Sequence, residues 1–138
     1  MKKTLVDSSF LYATVDRSDK KHLQVVGLLA NLTDDLHLPT TVLEEVVYLI
    51  QSRLGHVQVR YFVDQLQNSP IEIEVVRKSD LTRIFELLDQ YADLELDFVD
   101  ASLITVAERL DIRRILTIDQ RNFQLIQPNH CDCFEILP

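Results

Sequence analysis

Only two glycines, Gly27 and Gly55, occur in 138 residues. That scarcity leaves little room for a loop that cradles phosphate on its backbone N–H groups. Neither GxGxxG nor GxxxxGK[ST] is present, so nucleotide binding by those devices is excluded. Cysteine is equally scarce: Cys131 and Cys133 stand two residues apart. They are too few for a disulfide framework, and a reducing cytoplasm is the expected compartment. No apolar run is long enough to span a bilayer, so no membrane role is expected. The start, MKKTLVDSSF, has the basic residues of a signal peptide but breaks its apolar run at Asp7, which argues against secretion. His22, His37, His56 and His130 are scattered, and no GxSxG marks a serine hydrolase. The run HCDC, residues 130–133, crowds three soft-metal ligands together with no second cluster, a poor zinc site. It reads as the lead-in to a last strand, with Cys133 buried.

Positive charge is also in deficit. Fourteen Lys and Arg face 22 Asp and Glu, a net charge of -8. Non-specific coating of nucleic acid rests on cations that neutralise phosphates, so that class is disfavoured. An enzyme with a local basic rim around an acidic, metal-filled site remains open. Lys20, Lys21, Arg53, Arg60, Arg109, Arg113, Arg114 and Arg121 are candidates for the rim. Scattered solvated charge is the simpler reading for any one of them.

What is present is an ordinary soluble globule, 46% apolar and 26% charged, with the length of one domain, residues 1–138. Short β-rich runs alternate with helical patterns. KTLV (3–6), LHLP (36–39), IEIEVV (71–76), RRILTI (113–118) and CFEIL (133–137) read as strands. Helices are expected over residues 8–17, from a Ser18 cap through Leu29/Leu30, over 40–54 up to Gly55, and over VQVRYFVDQLQN before Pro70. Two more follow, over 79–92 with a Ser cap and over 96–110. Strands separated by helices predict a three-layer α/β/α fold around a mostly parallel sheet of about five strands.

The helix LDFVDASLITVAERL (96–110) is apolar on most sides and so should be buried. Asp100 does not sit on its polar side. Helical spacing stacks it with Leu103, Ile104 and Ala107. Other acids follow the same geography: Asp7 and Asp119 follow strands, and Glu44, Glu45, Asp97 and Asp100 open helices. In parallel sheets ligands bind beyond the carboxyl ends of the strands, where helices begin. Four remote regions therefore deliver carboxylates to one edge.

Each acid has a plainer reading. Thr41-x-x-Glu44 fits a capping box, and Asp97 fits a helix cap worth ~1 kcal/mol. Capping and ligation are evenly matched for Asp7 and Asp119. Capping fails for Asp100, since a cap belongs at the wet end. Two charges ~4 Å apart repel by roughly 4 kcal/mol at an effective dielectric of 20. Three or four clustered carboxylates therefore need compensation. No lysine or arginine sits within these motifs, and an all-carboxylate set suits a hard ion, Mg2+ or Mn2+.

LVDSSFLYATVDRSDKKH, PTTVLEEVVYL, LDFVDASLITVAERL and ILTIDQRNF, in this order, resemble the blocks of a PIN-domain nuclease, closest to the small VapC-like toxins. The resemblance spans nearly the whole chain. It implies that Asp7, Glu45, Asp100 and Asp119 hold the metal, with the following VVYL favouring Glu45 over Glu44. Asp97 is then either an additional ligand or only a cap, and Ser8 and Thr117 orient the ligands beside them. A bound divalent ion lowers the pKa of its water and neutralises phosphate oxygens. The implied activity is metal-dependent endoribonuclease hydrolysis of RNA, with a small antitoxin and a homodimer as the implied partners. Two rivals remain. A catalytically silent module binding protein or RNA would not respond to Mg2+ or Mn2+. A phospho-accepting receiver, or a haloacid-dehalogenase-type phosphatase, wants more than the single acid of VDSS after strand one.

Overall fold

A computed structural model describes residues 1–138. β1 (Lys3–Val6) lies at the centre of a five-stranded sheet of order β3-β2-β1-β4-β5, with β2 (Asp35–Pro39), β3 (Glu72–Glu74), β4 (Arg114–Leu116) and β5 (Glu135–Leu137). Every pairing is parallel. The chain builds outward from β1 to β3, then crosses back to place β4 on the other side of β1. Right-handed crossovers put the helices of these two halves on opposite faces, which gives the expected three layers. The order reverses between β1 and β4, the place where such sheets bind ligands.

The helices are α1 (Ser8–Val15), α2 (His22–Asn31), α3 (Thr40–Leu54), α4 (His56–Gln67), α5 (Leu81–Gln90), α6 (Phe98–Leu110) and α7 (Arg121–Leu125). α6 is the most deeply seated: Ala101 through Ala107 are all buried, as its all-round apolarity requires. Leu103 and Ile104 are fully covered, each worth about 2 kcal/mol of burial. β2 runs into α3 with no residue between them. Gly55 ends α3 at φ 96°, its N–H bonded to the Ile50 carbonyl. That is a conformation L side chains rarely adopt. No helix is long and apolar enough to cross a membrane.

Three expected caps are corrected, two by partners far along the chain and one by a neighbour two residues away. The Thr41–Glu44 capping box does not form: Thr41 Oγ1 lies 2.6 Å from Ser102 Oγ on α6, and Glu44 is exposed. Ser102 donates its own proton to the Val99 carbonyl, so Thr41 is the donor. Ser18 does not cap α2, which starts at His22. Its N–H and hydroxyl both donate to Asp16, just after an α1 two residues shorter than expected. Ser79 lies in a 3-10 turn, residues 78–80, where the Asp80 carboxylate accepts from the Arg77 N–H and from Arg109. Cys133 is exposed, not buried, because β5 begins only at Glu135.

Candidate active site

The register of β1 on β4 pairs Val6 with Leu116. The next residues, Asp7 and Thr117, therefore leave the sheet side by side, and Asp7 N–H donates to the Leu116 carbonyl at 2.9 Å. Thr117, fully buried, donates from Oγ1 to Asp7 Oδ2 at 2.7 Å. That uses its only proton, so Ser9 Oγ donates to Thr117 Oγ1 across 3.1 Å. Ser9 in turn accepts from the N–H groups of Ile118 and Asp119. This chain of hydroxyls ties the ends of β1 and β4 into one rigid corner.

Around that corner lies a cleft of about 300 Å³ lined by Asp7, Asp19, Glu45, Asp97, Asp100 and Asp119, with Arg53 the one cationic side chain. All four acids expected to act together are in it, drawn from the residue after β1, from α3, from α6 and from the segment after β4. Glu45, not Glu44, faces the cleft, and the Ser8 hydroxyl donates to it. Asp97 caps α6: its Oδ1 accepts the Asp100 N–H at 2.8 Å. The Asp100 side chain, which no capping role explains, accepts from Asn122 Nδ2 at 3.2 Å.

The electrostatics match this crowding. Burial pushes the Asp7 carboxyl up to about 6, the Glu45 charge adds to it, and the hydrogen bonds from the Thr117 hydroxyl and the Ser8 backbone N–H pull the other way. Asp100 is pushed up to about 7, first by burial and then by the charges of Asp7 and Asp97, against the hydrogen bond from Asn122. Asp7 Oδ1 is buried with no hydrogen-bond partner. An unpaired buried carboxylate oxygen costs several kcal/mol or so unless a cation or proton meets it.

No lysine or arginine pairs with Asp7, and Arg53, the one cation lining the cleft, lies over the Tyr12 ring without an ion pair to any of these acids. Arg109 is bound to Asp80, and Arg114 to Asp34 and Glu135. Arg113 pairs with Asp111, and Arg121 stands 3.9 Å from the outermost acid, Asp119. An all-oxygen, all-anionic set with an orphaned buried oxygen has the chemistry of a hard divalent cation site. As the side chains stand, no three of them close into a ready ligand shell. Glu45 rests on Ser8, and the Asp119 carboxylate is 68% exposed.

The family model for the PIN domain matches residues 4–127. This chain belongs to the PIN domain family. Ribonuclease VapC26 of Mycobacterium tuberculosis is 25% identical over 134 residues, 97% of this chain and 99% of its own length. VapC20 of the same organism, a sarcin–ricin loop cleaving toxin, has a solved structure that superposes with a TM-score of 0.79 at 24% identity. The match covers 84% of this chain and 89% of VapC20. A toxin–antitoxin complex from Klebsiella pneumoniae matches with a TM-score of 0.69 at 16% identity, over 89% of this chain and 92% of that one. At these identities the two structures speak for the shared PIN fold.

Three members of this PIN-domain site escaped sequence reasoning. Ser9 belongs to the DSS run but is the partner of Thr117, 108 residues away. Asn122, three residues beyond Asp119, is the only side chain that donates to Asp100. Asp19 lines the cleft from the turn before α2. No local pattern marks any of them: Ser9 and Asn122 take their roles from partners far along the chain, and Asp19 from the place of its turn beside the cleft.

Proposed function

We propose that this PIN domain is a divalent-metal-dependent endoribonuclease that hydrolyses RNA phosphodiester bonds, the toxin half of a toxin–antitoxin pair. The observation that carries the reading is the meeting of Asp7, Glu45, Asp100 and Asp119 in one cleft, with Asp7 Oδ1 buried and unpaired. The ribonuclease relative, aligned over nearly its full length, supports it. Asp7, Glu45, Asp100 and Asp119 would hold Mg2+ or Mn2+. When bound, that ion supplies positive charge against the phosphate oxygens and a more acidic water.

The rest of the work falls to the chain itself. Thr117 and Ser9 fix the orientation of Asp7, Ser8 that of Glu45, and Asn122 that of Asp100. Ligands held this way need no reorganisation when charge develops on the substrate. Asp97 is engaged at the α6 N-terminus and serves as the cap. No side chain acts as nucleophile: water attacks phosphorus and the bond to one ribose oxygen breaks.

Cleavage of single-stranded RNA in Mn2+, Mg2+ and chelator tests the reading, with Asp7→Asn and Asp100→Asn alongside and circular dichroism to check folding. Activity that survives chelator, or that persists in both variants, rejects it. One observation favours the rival, a catalytically silent protein- or RNA-binding module: the acids do not yet converge as a shell. That module melts at the same temperature with and without Mn2+.

The antitoxin would seat in an apolar groove of about 1110 Å³, lined by Leu11, Val15, Leu29, Phe62 and Leu66 between α1, α2 and α4. The groove shares Asp16 and Ser18 with a smaller hollow, which in turn shares Tyr12, Asp19 and Arg53 with the acidic cleft. A homodimer is part of the same reading, checked by light scattering on the purified chain.

A further inference from the structure

α3 presents Glu45, Leu49 and Arg53 to the acidic cleft, four residues apart and therefore on one face. Arg53 is thus the cation at the end of a row that begins with an acid. Its guanidinium carbon stands 5.0 Å above the centre of the Tyr12 ring. Tyr12 is buried, and its hydroxyl donates to Asp16 at 2.6 Å, so the platform under Arg53 is fixed. No ion pair ties Arg53 to a carboxylate, although its charge helps to hold Asp16 below its ordinary range, after the hydrogen bonds from Ser18 and Tyr12. Beyond the stacking and a hydrogen bond to Tyr12, the remaining N–H donors of the Arg53 guanidinium meet no carboxylate and can take another anion.

Beyond Arg53 a second hollow, about 580 Å³, continues from the cleft and shares Tyr12, Asp19 and Arg53 with it. Lys20 and Lys21 line it, both exposed and neither in an ion pair. Two carboxylates are there too. Asp16 is engaged by Ser18 and Tyr12, and Asp19 accepts the Lys21 N–H at 2.8 Å. Three cations against two engaged acids make this hollow positive beside a cleft that is strongly negative. Arg83, Arg109 and Arg114, by contrast, are tied to carboxylates elsewhere on the surface.

We propose that Arg53, Lys20 and Lys21 form a backbone-phosphate subsite that receives the RNA strand on one side of the cleavage point. Arg53 clamps the phosphate next to the scissile one, and the lysine pair holds the strand as it leaves. This rests on the nuclease reading of the adjoining cleft and adds a direction to it: the strand crosses α3 toward the turn before α2. Arg53 and the lysines are positioning residues, since they bind parts of the substrate that do not react.

The test measures binding of a fluorescent single-stranded RNA to the Asp7→Asn protein in Mn2+ by anisotropy over a salt series, and KM and kcat on otherwise wild-type protein. Each phosphate contact on a single strand contributes about 0.7 to the slope of log affinity against log salt. Arg53→Gln and the double change Lys20→Gln/Lys21→Gln should each flatten the slope by about that much or more and raise KM with kcat little changed. Arg53→Lys should keep the slope. Lys78→Gln, exposed and lining neither hollow, should match wild type. The double lysine variant removes only exposed side chains, so it reports even if Arg53→Gln unsettles Tyr12. Wild-type slopes and KM in both variants, with cleavage intact, overturn the subsite alone. If wild type binds RNA but never cleaves it, the nuclease reading falls, while weakened binding in the variants still upholds the subsite. No RNA binding by any form overturns both.

Discussion

Asp100→Asn should make the metal-free protein more stable. The Asp100 carboxyl is pushed up to about 7 from an ordinary 3.8, by burial and by the neighbouring Asp7 and Asp97 charges. Folding therefore strengthens its hold on a proton. The penalty for ionising it is absent below about pH 4, grows as pH rises toward 7, and is complete above that. Three pKa units correspond to about 4 kcal/mol at pH 8, a ceiling because part of the group still reaches water. Asparagine has the same shape, carries no charge and keeps an oxygen for Asn122 Nδ2 to donate to. For a domain of this size 1 kcal/mol moves Tm by roughly 3–4 °C, so relief of even half the ceiling raises Tm by about 5 °C or more. Melting in chelator at pH 8 and pH 4 reads this directly, with the gain present at pH 8 and gone at pH 4. Added Mn2+ should then lift wild type by about 2.7 kcal/mol at a hundred times Kd, and the variant far less. A variant that melts at or below wild type at pH 8 in chelator refutes the reasoning, as does a gain that is the same at both pH values.

Glu45→Gln should abolish RNA cleavage while Glu44→Gln, at an exposed position, leaves the rate unchanged; equal effects in a cleavage assay would undo the helix phase argued above. Asn122→Ala removes the hydrogen bond that holds the Asp100 carboxyl down, so the acid limb of the pH–rate profile should move to higher pH; an unmoved profile counts against the pairing. Arg109→Met leaves the buried Asp80 carboxylate without its cation and should cost about 3 kcal/mol, read as a lower urea midpoint. Thr117→Val strips Asp7 of its closest donor and should weaken Mn2+ binding, measured by calorimetry, by about 10-fold.

The sequence made the scaffold legible where burial alone decides the pattern. The strands around Leu5 and Ile115 and the all-round apolar α6 follow from side chains that must leave water, so periodicity exposes them. The acids Asp7, Asp100 and Asp119 were legible because they sit where an apolar run stops or where a charge breaks an apolar face. The caps were not. Thr41, Ser18 and Ser79 all carry the right side chains, but Ser102, Asp16 and the Asp80–Arg109 pair decide where those hydroxyls and helix starts go. Arg53 illustrates the same limit: eight cations qualified as rim candidates, and its place in the cleft and its stacking on Tyr12 separate it from Arg114, which faces Asp34 instead. Local chemistry states what a side chain can do, and the long-range pairing of strands selects which of those things it does.

The direct junction of β2 with α3 has an evolutionary corollary. With no slack between Pro39 and Thr40, the rotational phase of α3 is set by the sheet itself. One inserted residue there would turn the helix by about 100°, swinging the acid and the cation of its working face away together. Length variation among descendants of this chain should therefore collect at the far end of α3, around Gly55, and spare the junction.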